Sequence, residues 1–170
     1  MSGKSRHPGQ KYDRPRGVPS RQPGFLRRTA KAAGGLVCQE CGIVQHAGKW
    51  YFGAPPLAQL ATGLCPACQR VRDRYPAGTL RMPAAFLARR DEVIQLIRNV
   101  EAVEKAEHPL ERLMEIEESD GHLVVTTTGV HLAREIAHKL AKRFHRKPRF
   151  RYADGEDLLH VDWEASVQEA

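Results

Sequence analysis

The clearest pattern in this chain lies in its second half, where apolar residues recur at helical spacing and then alternate. Phe86, Val93, Ile94, Ile97, Val100 and Val103 fall near a period of 3.6, which predicts one helix from about Pro83 to Glu107, opened by the proline and closed by His108-Pro109. Residues Arg112 to Glu118 alternate in part. Asp120-Gly121 is a two-residue hairpin signal, and Leu123, Val125 and Thr127 share one face of the returning strand. A second helix follows Thr128-Gly129, with Val130, Ala133, Ile136, Ala137, Leu140 and Phe144 as its stripe. Phe150 and Tyr152 mark a third strand. Asp154-Gly155 makes a turn, and Leu159, Val161 and Trp163 mark a fourth strand. The expected order over residues 83–165 is α-β-β-α-β-β: an antiparallel four-stranded sheet with both helices on one face. Residues 166–170 read as a tail.

The first half is patterned by cysteine. Cys38-Gln39-Glu40-Cys41-Gly42 and Cys65-Pro66-Ala67-Cys68 are two C-x-x-C knuckles, and they hold all four cysteines of the chain. A tight knuckle presents two sulfurs together, and Gly42 stands where such a turn needs a positive φ. Two knuckles complete a four-thiolate shell suited to Zn²⁺, with no position left open. Residues 34–80 are therefore expected to form a C4 zinc ribbon with Cys38, Cys41, Cys65 and Cys68 as ligands. His46 is superfluous as a fifth donor. Between the knuckles, Lys49-Trp50-Tyr51-Phe52 reads as a strand. Its aromatics serve a small core, or else a stacking surface for an unpaired base. Arg70, Arg72 and Arg74 alternate after the second knuckle and would share one face of an extended stretch, as phosphate contacts.

Charge adds a third region. The chain has 170 residues and a formal charge of +7. Residues 1–33 hold nine Lys or Arg, among them Arg27 and Arg28, against the single acid Asp13, and so carry +8. The remainder is close to neutral. With few large apolar residues before Phe25, this arm reads as disordered in isolation, and a polyanion is its natural partner. The overall fold class is thus α+β, with a basic arm ahead of a zinc ribbon and an α+β domain. No run approaches a membrane span and no apolar segment follows the N-terminal charges, so a cytoplasmic protein is expected. Eight bases and one acid lie between Arg134 and Arg151. Lys139, Arg143 and Arg146 edge the apolar stripe and Lys142 points outward. Lys147 and Arg149 follow, and together these residues form a candidate RNA-binding surface. His131, His138 and His145 recur every seven residues, too far apart for two to chelate one ion, and read as surface. No P-loop, H-E-x-x-H or other catalytic constellation is present. Thr126-Thr127-Thr128-Gly129 could bind phosphate at a helix N-terminus, but turn and capping chemistry is the simpler reading.

The paired C-x-x-C-G and C-P-x-C-x-R knuckles resemble a zinc module of the adaptor family that escorts the large ribosomal subunit from the eukaryotic nucleus, and of its archaeal relatives. The block from Asp120 to Phe144, DGHLVVTTTGVHLAREIAHKLAKRF, followed by a basic strand and a hairpin, is similar to the domain that follows there. Small bacterial proteins of about this length look like a reduced form of that arrangement. The resemblance spans about residues 34–163. The adaptors carry more zinc-binding cysteines and further domains, so export itself is not implied. What the resemblance implies is a binding protein that contacts ribosomal RNA or the ribosome, the large subunit foremost; the residues themselves point to zinc and show no sign of a membrane or small-molecule partner. A zinc-ribbon DNA-binding regulator and an enzyme such as a nuclease are the alternatives. The first is weakened because no helix carries an evident base-reading set.

Overall fold

The computed structural model describes residues 34–55, 60–153 and 157–164. The arm with Arg27 and Arg28, the second turn at Asp154-Gly155 and the tail lie outside the described residues.

Two sheets organise the molecule. The first has strands β1 (Leu36–Cys38), β2 (Val44–His46), β3 (Lys49–Tyr51) and β4 (Ala61–Gly63), in the order β3-β2-β1-β4. β1, β2 and β3 form an antiparallel meander, while β4 returns parallel to β1. Helix α1 (Pro66–Asp73) begins at the second knuckle, with Cys65 as its N-cap and Pro66 in the first turn. It ends with Arg74 in the left-handed region at φ 50°, where Tyr75 N–H bonds the Arg70 carbonyl and Arg74 N–H bonds that of Val71.

The second sheet departs from the expected four antiparallel strands. It has five strands in the order β6-β7-β5-β9-β8. The extra one is β5 (Gly78–Met82), in residues read at the sequence level as the close of the ribbon and the link beyond it. It pairs antiparallel with β7 (His122–Thr127) and parallel with β9 (Leu158–Trp163). Only Leu80 and Met82 give this strand an inward face, a signal too short to stand out. β5 enters between two hairpins that each retain the expected pairing: β6 (Leu113–Ser119) with β7, and β8 (Pro148–Ala153) with β9. The Asp120-Gly121 turn has both residues at positive φ, 51° and 71°, as a type I′ turn requires.

The single helix expected over Pro83–Glu107 is two. A short α2 (Ala84–Leu87) and α3 (Arg90–Glu107) are separated by Arg89, whose φ of −124° and ψ of 35° leave the helical region. The break lets α2 turn Phe86 edge-on to Phe144 and Trp163, at 5.4 and 5.3 Å between ring centres. α3 buries Val93 and Ile97 but leaves Val103 65 % exposed, so the apolar stripe stops short of the helix end. α4 (Val130–Phe144) buries Ala133, Ile136, Ala137 and Leu140 as the periodicity implies, and Leu132 beside them. α3 and α4 pack against each other, and the core lies between α4, α2 and the sheet.

Candidate metal centre

The first knuckle is built by β1 running into a tight turn. Cys38 N–H donates to the Ile43 carbonyl at 2.9 Å, Gly42 N–H to that of Cys38 at 2.8 Å, and Gly42 sits at φ +75°. The second knuckle is the start of α1. Cys65 N–H donates to Cys38 Sγ and Cys68 N–H to Cys65 Sγ, each at 3.3 Å. Cys38, Cys65 and Cys68 are buried and Cys41 is half-buried. The ligand atoms of all four lie within 4.8 Å of one another. Ile43, Ala67, Trp50, Leu64 and Leu110 surround them. A buried, N–H-bonded cluster of four unbridged sulfurs fits a four-coordinate thiophilic ion such as Zn²⁺, held by Cys38, Cys41, Cys65 and Cys68.

The thiols are unequal. Burial works against ionising Cys38, but N–H groups of Cys41, Cys65 and Glu40 outweigh it, and its pKa falls to about 6. Burial dominates at Cys68, whose pKa is pushed up to about 11, and at Cys65, which is also pushed up. Without a cation the site cannot carry four thiolates, since each added charge opposes the others in a shielded space.

A cation reaches this cluster from the far side of the chain. Arg112, just before β6, donates through Nη2 to Cys41 Sγ at 3.1 Å and to Cys65 Sγ at 3.6 Å, and through Nη1 to Cys68 Sγ at 3.5 Å. Its Nε donates to the Pro109 carbonyl at 2.8 Å, which fixes the fork. Burial opposes the guanidinium charge, but Cys41 and the other sulfurs outweigh it and raise the pKa further. The backbone of Arg112 is fastened too. Its N–H bonds Thr128 Oγ1 at 2.9 Å and its carbonyl takes Thr128 N–H at 2.9 Å. Sequence reading missed Arg112, because one Arg after a helix-ending His-Pro carries no local signal. Its partners are 44 to 71 positions away.

The other candidate residues scatter. Arg70 is buried, donates to the Tyr75 carbonyl at 3.1 Å and lies over the Tyr75 ring. Its side chain therefore closes α1. Arg72 pairs with Glu40 at 2.7 Å across to the first knuckle, and Arg74 is exposed at the helix end. The expected single face fails because these residues are helical, about 200° apart at alternate positions. Trp50 is partly buried and packs on the cysteine cluster, whereas Phe52 is 51 % exposed. Lys49 is exposed beside Trp50. Lys139, Lys142, Lys147 and Arg149 are exposed at the end of α4 and the start of β8. Arg143 pairs with Glu92, and Arg149 lies 3.9 Å from Glu164. Arg146 is half-buried, over the Phe86 ring. Thr127 and Thr128 are buried: Thr127 Oγ1 donates to the nearby Gly129 carbonyl, but Thr128 Oγ1 donates to the distant Leu110 carbonyl, and neither side chain caps α4, so the capping part of the expectation fails.

Among the described residues, no helix is long and apolar enough to cross a membrane. Neither family models, nor curated proteins, nor solved structures match this chain. What the fold and the site define is a mixed α+β protein with a four-cysteine centre able to hold a metal ion.

Proposed function

We propose that this protein acts by binding RNA, not by catalysis, and that its RNA is ribosomal, with the large subunit as its place of action. The four-cysteine module would be a rigid docking piece, since an ion held by four protein thiolates keeps no position for substrate. The observation that carries the reading is charge placement: residues 1–33 carry +8, and α4 with the residues just after it exposes Lys139, Lys142 and Lys147. Two basic regions in one chain suit a long, folded polyanion better than a short acidic peptide. The resemblance to the large-subunit adaptors supports the choice of the ribosome among RNAs.

Sedimentation with purified ribosomes tests it. The full chain is expected to sediment with ribosomes at physiological salt. Removing residues 1–33 should weaken binding and flatten its salt dependence, because fewer counterions are released. Replacing Lys139, Lys142 and Lys147 together by Gln should weaken binding while moving stability by no more than about 1 kcal/mol. Arg146 is left alone because it lies over Phe86. A full chain that stays in the supernatant overturns the reading.

A further inference from the structure

A second cluster of metal-ligating side chains sits where the two modules meet. Glu104 lies in the last turn of α3 and His108 directly follows it, so the pair is spaced i, i+4 on one face. The helical bond from His108 N–H to the Glu104 carbonyl is kept at 2.7 Å. His131, the second residue of α4, comes to meet them. Its Nε2 lies 2.8 Å from Glu104 Oε2, and its ring stands edge-on to that of His108 at 5.4 Å. The ligand atoms of all three lie within 4.8 Å of one another. Glu104 and His131 are half-buried, and His108 is exposed on the side of a cavity of about 710 Å³. That cavity is also lined by Lys49, Trp50 and Glu111.

We propose that Glu104, His108 and His131 form a second site for a divalent transition-metal ion, distinct from the four-cysteine centre, that clamps the end of α3 to the start of α4. Two imidazoles and one carboxylate suit Zn²⁺ or its neighbours, and are poor for the all-oxygen preference of Ca²⁺ or Mg²⁺. Donors around a four-coordinate ion sit roughly 3.3 Å apart, given bonds of about 2.0–2.1 Å, so side-chain rotation has only a small spread to close. Three protein ligands leave the ion a further position. It would face the cavity and hold water.

One contact opposes the ion. Arg134 Nη2 lies 3.2 Å from His131 Nδ1. The guanidinium can only donate, so Nδ1 accepts and the imidazole proton is on Nε2, toward Glu104. An ion bound at Nε2 takes the place of that proton. Nδ1 must then carry the proton, and Arg134 must swing away. Arg134→Gln removes the positive charge and offers a carbonyl that can accept from Nδ1–H, so this substitution should tighten the site.

The test uses full-length protein whose four-cysteine centre has been filled with zinc, then titrated with Co²⁺. Thiolate-bound cobalt shows an intense sulfur-to-metal charge-transfer band, and cobalt held by nitrogen and oxygen does not. The expected result is one further equivalent of Co²⁺ without that band, lost in His108→Asn and His131→Asn and bound more tightly in Arg134→Gln. Imidazole resonances of His108 and His131 in the unmodified protein, perturbed selectively by Co²⁺, report the site even if a substitution harms folding. Absence of a further equivalent in the unmodified protein, or its full retention in folded His108→Asn and His131→Asn, overturns the proposal. The site is independent of the RNA reading, since ribosome binding could fail with cobalt still bound.

Discussion

Arg112 concentrates several tasks in one side chain. Four thiolates around a divalent ion would carry a net negative charge, and the guanidinium, bonded to three of the sulfurs in a half-buried setting, would compensate part of it. Lysine cannot reproduce this, because one ammonium cannot reach Cys41, Cys68 and the Pro109 carbonyl in one plane. Arg112→Lys and Arg112→Met are both expected to lower zinc affinity, on the scale of about 10- to 100-fold seen for partners of metal ligands. Competition against a chromophoric chelator measures this. Affinity unchanged in Arg112→Met would show that the sulfurs need no external cation.

At the scale of elements, the start of α4 shows how tertiary contacts replace local capping. Its N-cap, Gly129, has no side chain to offer. The carboxylate of Glu111 fills the role from outside the helix, accepting from Leu132 N–H at 2.8 Å. Gly129 is required for this: a Cβ there would lie 2.0 Å from Glu111 Oε2. Burial raises the Glu111 pKa, despite the Leu132 N–H that favours the anion. The folded pKa is therefore above the unfolded one, so ionisation costs stability at neutral pH and the cost fades on acidification. Glu111→Gln keeps an acceptor and drops the charge. It should melt within about 1 kcal/mol of the unmodified protein, whereas Glu111→Ala leaves the N–H unsatisfied and should lose about 0.5–2 kcal/mol. Thermal unfolding at neutral pH separates the two. Equal losses in both variants would mean that the charge, not the bond, holds the helix start.

For the whole molecule, the question is how far the two modules stand or fall together. Their cores are distinct: one is built on the cysteines with Ile43 and Ala67, the other on residues such as Leu80, Ile136 and Val161. The segment from His108 to Arg112 couples them. Leu110 packs on the cysteine core, Arg112 reaches the sulfurs and Glu111 holds α4. A strong chelator should remove protection from hydrogen exchange over 36–68 and loosen residues 108–112, while β6 to β9 keep theirs. Acid acts the same way from the proton side. Cys68, with its pKa pushed up to about 11, holds its proton across the neutral range, so metal affinity falls as pH falls. Mass spectrometry of exchanged peptides reads both. Loss of protection along the entire chain would make the protein a single cooperative unit.

Features set by near neighbours were legible in the amino-acid sequence: the C-x-x-C knuckles with Gly42, the Asp120-Gly121 turn, the pairing of each hairpin and the stripe of α4. Each depends on residues a few positions apart, where backbone preference and hydrophobic periodicity act directly. The break at Arg89 escaped, because Phe86 and Val93 are seven apart and fit one helix as well as two. β5 escaped because its two inward residues acquire meaning only beside β7 and β9, some 40 and 80 positions on. His131, read as surface from its own helix, meets Glu104 and His108 across 27 and 23 positions. Sequence alone determined the donors, the turns and the amphipathic faces, which are local. Only the tertiary structure decided which charges met the sulfurs and which helix ends came together, because those contacts arise from how the cores pack.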